Sequence, residues 1–138
     1  MAKSLDGTLV YLVDDDADFL EMERSIFEAR GCRVIAFSDP QAVVKALEAA
    51  APAARPALVV CDLMMSALDS GFSLARVLKN DPRSRGIPII IVSAISSQKG
   101  FDFHPRTAED LAAMNADAFF DKPVHPQALL ARAEELLR

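Results

Sequence analysis

Apolar residues along the chain fall into two alternating kinds of run. Short unbroken runs of strand length stand at 9–13 (LVYLV), 33–37 (RVIAF), 57–61 (ALVVC), 87–92 (IPIIIV) and 117–120 (DAFF). Between them, apolar side chains recur at helical spacing. Phe19, Leu20, Met22, Ile26 and Phe27 mark one face of a helix over 17–29, which Gly31 stops. Ser38 or Asp39 caps a second helix, Pro40 fits its first turn, and the Pro/Ala stretch 51–56 ends it. A third helix covers 70–79 and stops at Asn80-Asp81-Pro82. A long irregular segment, 94–106, leads to a short helix near 107–114. The last helix, 126–137, gathers Leu129, Leu130, Ala133, Leu136 and Leu137 on one side.

Five strand–helix units of this kind predict an α/β fold. Continuously apolar strands need cover on both faces, which implies a parallel sheet between two helical layers. Right-handed crossovers then give a doubly wound, five-stranded parallel sheet with helices on both faces. In such sheets ligands bind outside the carboxyl ends of the strands. No repeat, low-complexity tail or break in composition marks a second unit. The 138 residues read as one domain, 1–138, with its core from about residue 8 and an enlarged loop at about 95–106.

Composition narrows the function. Apolar residues make up 51% of the chain, enough for a core without disulfides or structural metals. A net charge of -5 with no basic stripe argues against nucleic-acid binding. No apolar run approaches the ~18 residues of a membrane span. The start, MAKSLDGT, lacks the apolar core of a secretory signal, so a cytoplasmic location is expected. Cys32 and Cys61 lack metal-ligand spacing and are expected to be unpaired core thiols. His104 and His125 stand alone, as ordinary loop or surface histidines.

The candidate chemistry comes from the polar residues that follow the strands. Asp14, Asp15 and Asp16 follow the first, Asp62 the third and Ser93 the fourth; Asp121, Lys122 and Pro123 end the fifth. Carboxylates this close need a counter-charge or their pKa values rise. A hard divalent cation supplies one, and Mg2+ suits a few carboxylates plus water. Asp16 reads as the N-cap of the first helix and Asp18 as a first-turn acid. Taken alone, DDDAD reads equally well as a solvated helix start. With Asp62, a hydroxyl and a lysine at the same edge, it suits attack by one carboxylate on a phosphoryl group, metal and lysine neutralising the transition state.

These residues resemble the receiver domain of two-component response regulators. The motifs are VDD at 13–15, VVCDLMM at 59–65, IIIVSA at 89–94 and DKP at 121–123, in this order and each at a strand end. The resemblance implies strand order 2-1-3-4-5 and makes Asp62 the phosphoacceptor for a sensor kinase phosphohistidine. It gives Asp14 and Asp15 to Mg2+, with Asp62 and the backbone carbonyl of Met64 as further ligands. It makes Ser93 the switch hydroxyl, Lys122 the phosphoryl-pairing lysine and Phe119 the aromatic switch residue. Met64 and Ile95, two beyond the phosphoacceptor and the switch hydroxyl, flank the phosphoryl group. The chain departs from the family at Ser66, where a proline is usual, in the loop MSALDSGF, and in the length of the segment between Ser93 and Lys122. That added segment carries Phe101, Phe103, His104 and Arg106, which read either as a recognition surface or as an anchor of the loop to the core.

The resemblance implies a stand-alone cytoplasmic phosphoacceptor that assists its own phosphorylation and dephosphorylation and is not an enzyme. Its partners would be a sensor histidine kinase or phosphotransfer protein and a downstream protein, with a phosphorylation-dependent dimer left open. Two other readings remain: a receiver-like module that binds a partner without phosphorylation, and a Mg2+-dependent phosphohydrolase with an aspartyl nucleophile. The second normally carries another acid two residues after the nucleophile, where this chain has Met64.

Overall fold

Strands form where the unbroken apolar runs predict them. The computed structural model describes residues 5–62, 70–93, 109, 115–122 and 124–137. Within these, β1 (Leu9–Val13), β2 (Arg33–Phe37), β3 (Leu58–Asp62), β4 (Ile89–Ser93) and β5 (Ala118–Asp121) pair in parallel in the order β2-β1-β3-β4-β5. The expected order is therefore the observed one. Three strands end one residue later than their apolar runs, on Asp62, Ser93 and Asp121. The ladder itself thus fixes the backbone of these polar residues: Asp62 pairs with Val92 and Ser93 with Asp121. Lys122 N–H donates to the Ser93 carbonyl at 2.9 Å, carrying the pairing one step further.

Helices α1 (Ala17–Glu28), α2 (Pro40–Ala49), α3 (Ser70–Asn80) and α4 (Pro126–Leu136) follow, with a 3-10 turn at Pro52–Ala54. Asp39, not Ser38, caps α2, accepting from Gln41 N–H at 3.0 Å. Gly31, after α1, has φ +85°, and a side chain there would collide with the Asp6 carboxylate. The predicted helix near 107–114 lies outside the described residues apart from Glu109, which is helical. The enlarged loop at 95–106 lies outside them as well.

Alternation along the strands sorts the core into two layers. Tyr11, Val13, Val59, Cys61, Ile89 and Ile91 pack under Val43 and Leu47 of α2 and Leu74, Ala75 and Leu78 of α3. Val10, Leu12, Leu58, Val60, Ile90 and Val92 pack under Phe27 of α1 and Leu129, Leu130 and Ala133 of α4. Each such Val, Leu or Ile contributes roughly 1.5–3 kcal/mol by leaving water. The two thiols are free and buried, one in each layer, on opposite faces of the sheet. No helix among the described residues is long and apolar enough to cross a membrane.

The amino edge of the sheet is held by polar groups. Asp117 Oδ2 accepts from Ile89 N–H at 2.8 Å and from Lys79 Nζ, in the last turn of α3, at 2.9 Å. Lys79 also donates to the Ile87 carbonyl, and Arg132 of α4 donates to the Asp117 carbonyl. Asp117 therefore ties the starts of β4 and β5 to a helix on each face. Asp117→Ala strands the half-buried Ile89 N–H and should cost about 1–3 kcal/mol in urea unfolding. Asp117→Asn retains an acceptor and should cost less. Equal losses in the two variants would show that the carboxylate–lysine pair, and not the strand cap, carries the stabilisation.

Candidate functional site

The same alternation that sorts the core assembles the carboxyl edge. Continuing β1, β3 and β5 by even steps from Leu12, Val60 and Phe120 leads to Asp14, Asp62 and Lys122, on the α1/α4 side of the sheet. These three side chains meet. Lys122 Nζ lies 2.8 Å from Asp14 Oδ2 and 3.4 Å from Asp62 Oδ2. Asp14 and Asp62 are buried. Asp15 is exposed, yet one carboxylate oxygen from each of Asp14, Asp15 and Asp62 fits within 4.8 Å of the others. Such a set of hard oxygen donors is of the kind that suits a small divalent cation.

Local hydrogen bonds hold the first carboxylate in place. Asp14 N–H donates to the Phe37 carbonyl at 3.0 Å, and Asp14 Oδ1 accepts from Asp16 N–H at 2.9 Å. Asp16 caps α1 as expected, accepting from Asp18 N–H at 3.0 Å and Phe19 N–H at 3.2 Å. The four aspartates thus divide their work. Asp14 and Asp15 face the site, Asp16 starts the helix, and Asp18 sits in its first turn, where a negative charge suits the helix dipole.

Burial draws the Lys122 pKa down, but the hydrogen bond to Asp14 and the charges of Asp62 and Asp14 outweigh it, and the net shift is upward. Lys122 is therefore a firmly protonated cation. The ring of Phe19 covers it, with Nζ 4.0 Å from the ring centroid.

Ser93 and Phe119 fall on the other alternation, toward α2 and α3. Ser93 is buried at the end of β4, and Phe119 packs half-buried against that layer. The structure brings Asp14, Asp15, Asp62 and Lys122 into one cluster, and Ser93 ends β4, the strand next to that of Asp62. Met64, Ile95 and Pro123 lie outside the described residues.

One residue of this neighbourhood escapes the apolar pattern. The spacing assigns Met22 to the inner face of α1, yet Met22 is 39% exposed and the inward line runs Phe19, Glu23, Phe27. Glu23 is buried, and its Oε2 has no hydrogen-bond partner among the described residues. Burial, then the negative charge of Asp14, raise its pKa; Lys122 opposes and Asp62 adds to the rise, leaving it at about 8. The i, i+4 step from Phe19 to Glu23 to Phe27 is the signal that would have found it.

Comparisons with known proteins show the family and the fold. A family model described as the response regulator receiver domain matches residues 10–134. The transcriptional regulatory protein GltR of Pseudomonas aeruginosa is 31% identical over 137 residues, which cover 98% of this chain and 51% of that protein. The chain thus spans about half the length of GltR, and only 16% of the protein RcaC of Microchaete diplosiphon. Among solved structures, the chemotaxis response regulator CheY4 of Vibrio cholerae superposes with a TM-score of 0.76 at 19% identity, covering 95% of this chain and 99% of that one. The receiver domain of the sensor histidine kinase PA1611 of Pseudomonas aeruginosa, which has a magnesium ion coordinated in its active site cleft, also gives 0.76, at 21% identity, covering 95% and 98%.

Glu23 supplies a pH test. Its folded pKa, about 8, lies above the ordinary 4.5, so the folded state holds this proton more tightly than the unfolded one. The stability that this linkage contributes is fully present below pH 4.5 and is lost as pH climbs from 4.5 through 8, at up to about 1.4 kcal/mol per unit. Glu23→Gln keeps the shape without the proton. Urea unfolding across pH 4 to 9 should show variant and wild type converging at the acid end. At the alkaline end the variant should lead by on the order of a few kcal/mol. Parallel curves would place the titration elsewhere.

Proposed function

Because the chain belongs to the response regulator receiver domain family, we propose that it is a phosphorylatable signalling switch in which Asp62 takes a phosphoryl group from the phosphohistidine of a sensor histidine kinase or phosphotransfer protein. The observation that carries this reading is the shared ammonium: Lys122 Nζ bridges the buried carboxylates of Asp14 and Asp62 at the carboxyl edge. An Asp62 oxygen attacks phosphorus, the new O–P bond forms as the P–N bond breaks, and the histidine departs. Lys122, already beside the attacking carboxylate, takes up the negative charge gathered on the phosphoryl oxygens.

The oxygen donors of Asp14, Asp15 and Asp62 fit Mg2+, with the Met64 backbone carbonyl as the further ligand that the family pattern supplies. The ion, when bound, shields the phosphoryl oxygens from the carboxylates. Exposed Asp15 opens the cluster to solvent, from which a hydrated ion and a phosphodonor arrive. The magnesium-bound PA1611 receiver supports the same assignment. Once Asp62 carries the acyl phosphate, the Ser93 hydroxyl donates a hydrogen bond to the phosphoryl group and Phe119 repacks. Both lie toward the α2/α3 layer, so the change passes to that side and to a downstream protein.

Incubation with acetyl phosphate and Mg2+ should add one phosphoryl mass to wild type and none to Asp62→Asn. Asp15→Ala, or chelation of the metal, should slow the reaction at least tenfold. Wild type that binds its partner equally well with and without phosphodonor would favour a constitutive interaction module. Steady release of phosphate from added monoesters would favour a hydrolase.

The lifetime of the phosphorylated state depends on whether water reaches phosphorus in line. Met64 and Ile95 flank that path in the family pattern, and neither side chain hydrogen-bonds an attacking water. Slow self-dephosphorylation is expected. Met64→Asn and Ile95→Glu should each hasten it, and a gain of ~1.4 kcal/mol in water placement corresponds to about tenfold. The phosphorylated fraction, followed after the donor is removed, checks this; decay of wild type within seconds would refute the shielding argument.

A further inference from the structure

Among the described residues, Lys122 Nζ meets two acids and one further group. The third is the ring of Phe19, on the first turn of α1. A closed circuit of contacts links that ring to the acid cluster. Lys122 donates to Asp14 Oδ2, Asp14 Oδ1 accepts from Asp16 N–H, Asp16 Oδ1 accepts from Phe19 N–H, and the ring of Phe19 returns to Lys122. The helix cap that starts α1 therefore also sets the ring over the ammonium.

We propose that Phe19 is a positioning residue for phosphoryl transfer, holding the Lys122 ammonium against the phosphoacceptor through its ring face. The inference rests on the functional reading above and deepens it. Chemistry favours an aromatic ring at this position over a third acid or a hydroxyl. Another carboxylate would add negative charge beside an anionic donor and would compete with Asp62 for the ammonium. A hydroxyl would fix the ammonium by a directional bond. A ring face attracts the cation over a broad area and not along one hydrogen-bond direction, and it excludes water from that side. Lys122 can then turn from Asp14 toward the incoming phosphoryl oxygens, from a starting point already 3.4 Å from Asp62, while it keeps its contact with the ring.

The test compares Phe19→Leu with Phe19→Tyr in the whole chain, using acetyl phosphate and Mg2+. In the reaction followed, an Asp62 oxygen bonds to phosphorus as the donor's O–P bond breaks and acetate leaves. Phe19→Leu keeps apolar bulk but no ring face and should phosphorylate about tenfold more slowly, equivalent to about 1.4 kcal/mol. Phe19→Tyr should restore the rate to within about twofold. A second readout needs no phosphodonor: the ε-methylene protons of Lys122, shifted upfield by the ring in wild type, should move downfield in the leucine variant and stay put in the tyrosine variant. A leucine variant that phosphorylates at the wild-type rate overturns the proposal and leaves the functional reading standing. So does a tyrosine variant as slow as the leucine one. Wild type that accepts no phosphoryl group at all overturns both.

Discussion

One ammonium group shared by two buried carboxylates holds the carboxyl edge of this sheet together. Asp14 and Asp62 end adjacent strands on the same face, so the parallel register forces them close whatever their charges. Lys122, carried in by β5 on the same alternation, makes that proximity tolerable. Deleting it would leave two buried like charges face to face, the kind of imbalance that costs several kcal/mol. The cluster therefore leans on its shared ammonium, and any group added to Asp62 under the proposed function would compete for it.

The two edges of the sheet use polar groups in opposite ways. At the amino edge, Asp117 satisfies a strand N–H and pairs with Lys79, and each polar atom is tied to a fixed neighbour. At the carboxyl edge, Lys122 is divided between acids and a ring, and Glu23 is buried with an oxygen that finds no partner among the described residues. The first arrangement resists movement. The second shares one cation among three groups and leaves a buried carboxylate oxygen unsatisfied among the described residues.

Most of the fold was legible because its strands are buried on both faces. Runs such as IPIIIV read as buried strands once helices alternate with them, handedness gives the doubly wound sheet, and the strand order came from the receiver resemblance. The cluster of Asp14, Asp15, Asp62 and Lys122 was legible for the same reason: each follows a strand whose end is fixed. Two features were not. The one-residue extension of three strands onto polar residues depends on ladder pairing, which apolar runs do not encode. The inward turn of Glu23, and the outward turn of Met22 beside it, depend on how α1 rolls against the sheet. A hydrophobicity pattern places an acid outside by default. Phe19 was expected in the core, but its role as a lid on Lys122 arises from the meeting of two elements a hundred residues apart in the chain.

Cys61 stands immediately before Asp62, the proposed phosphoacceptor, and a thiolate would rival a carboxylate as a nucleophile. The strand settles the rivalry by geometry. Alternation points Cys61 into the α2/α3 layer while Asp62 faces the opposite side. Burial, together with the negative charges of Asp62, Glu23 and Asp14, pushes the thiol pKa up to about 12. The thiol is thereby kept from the thiolate, the form that attacks electrophiles or is oxidised. The acids that crowd around Asp62 keep its sulfur neighbour protonated. Two adjacent nucleophile types are thus kept apart by the direction of a β-strand, one facing each layer of the core.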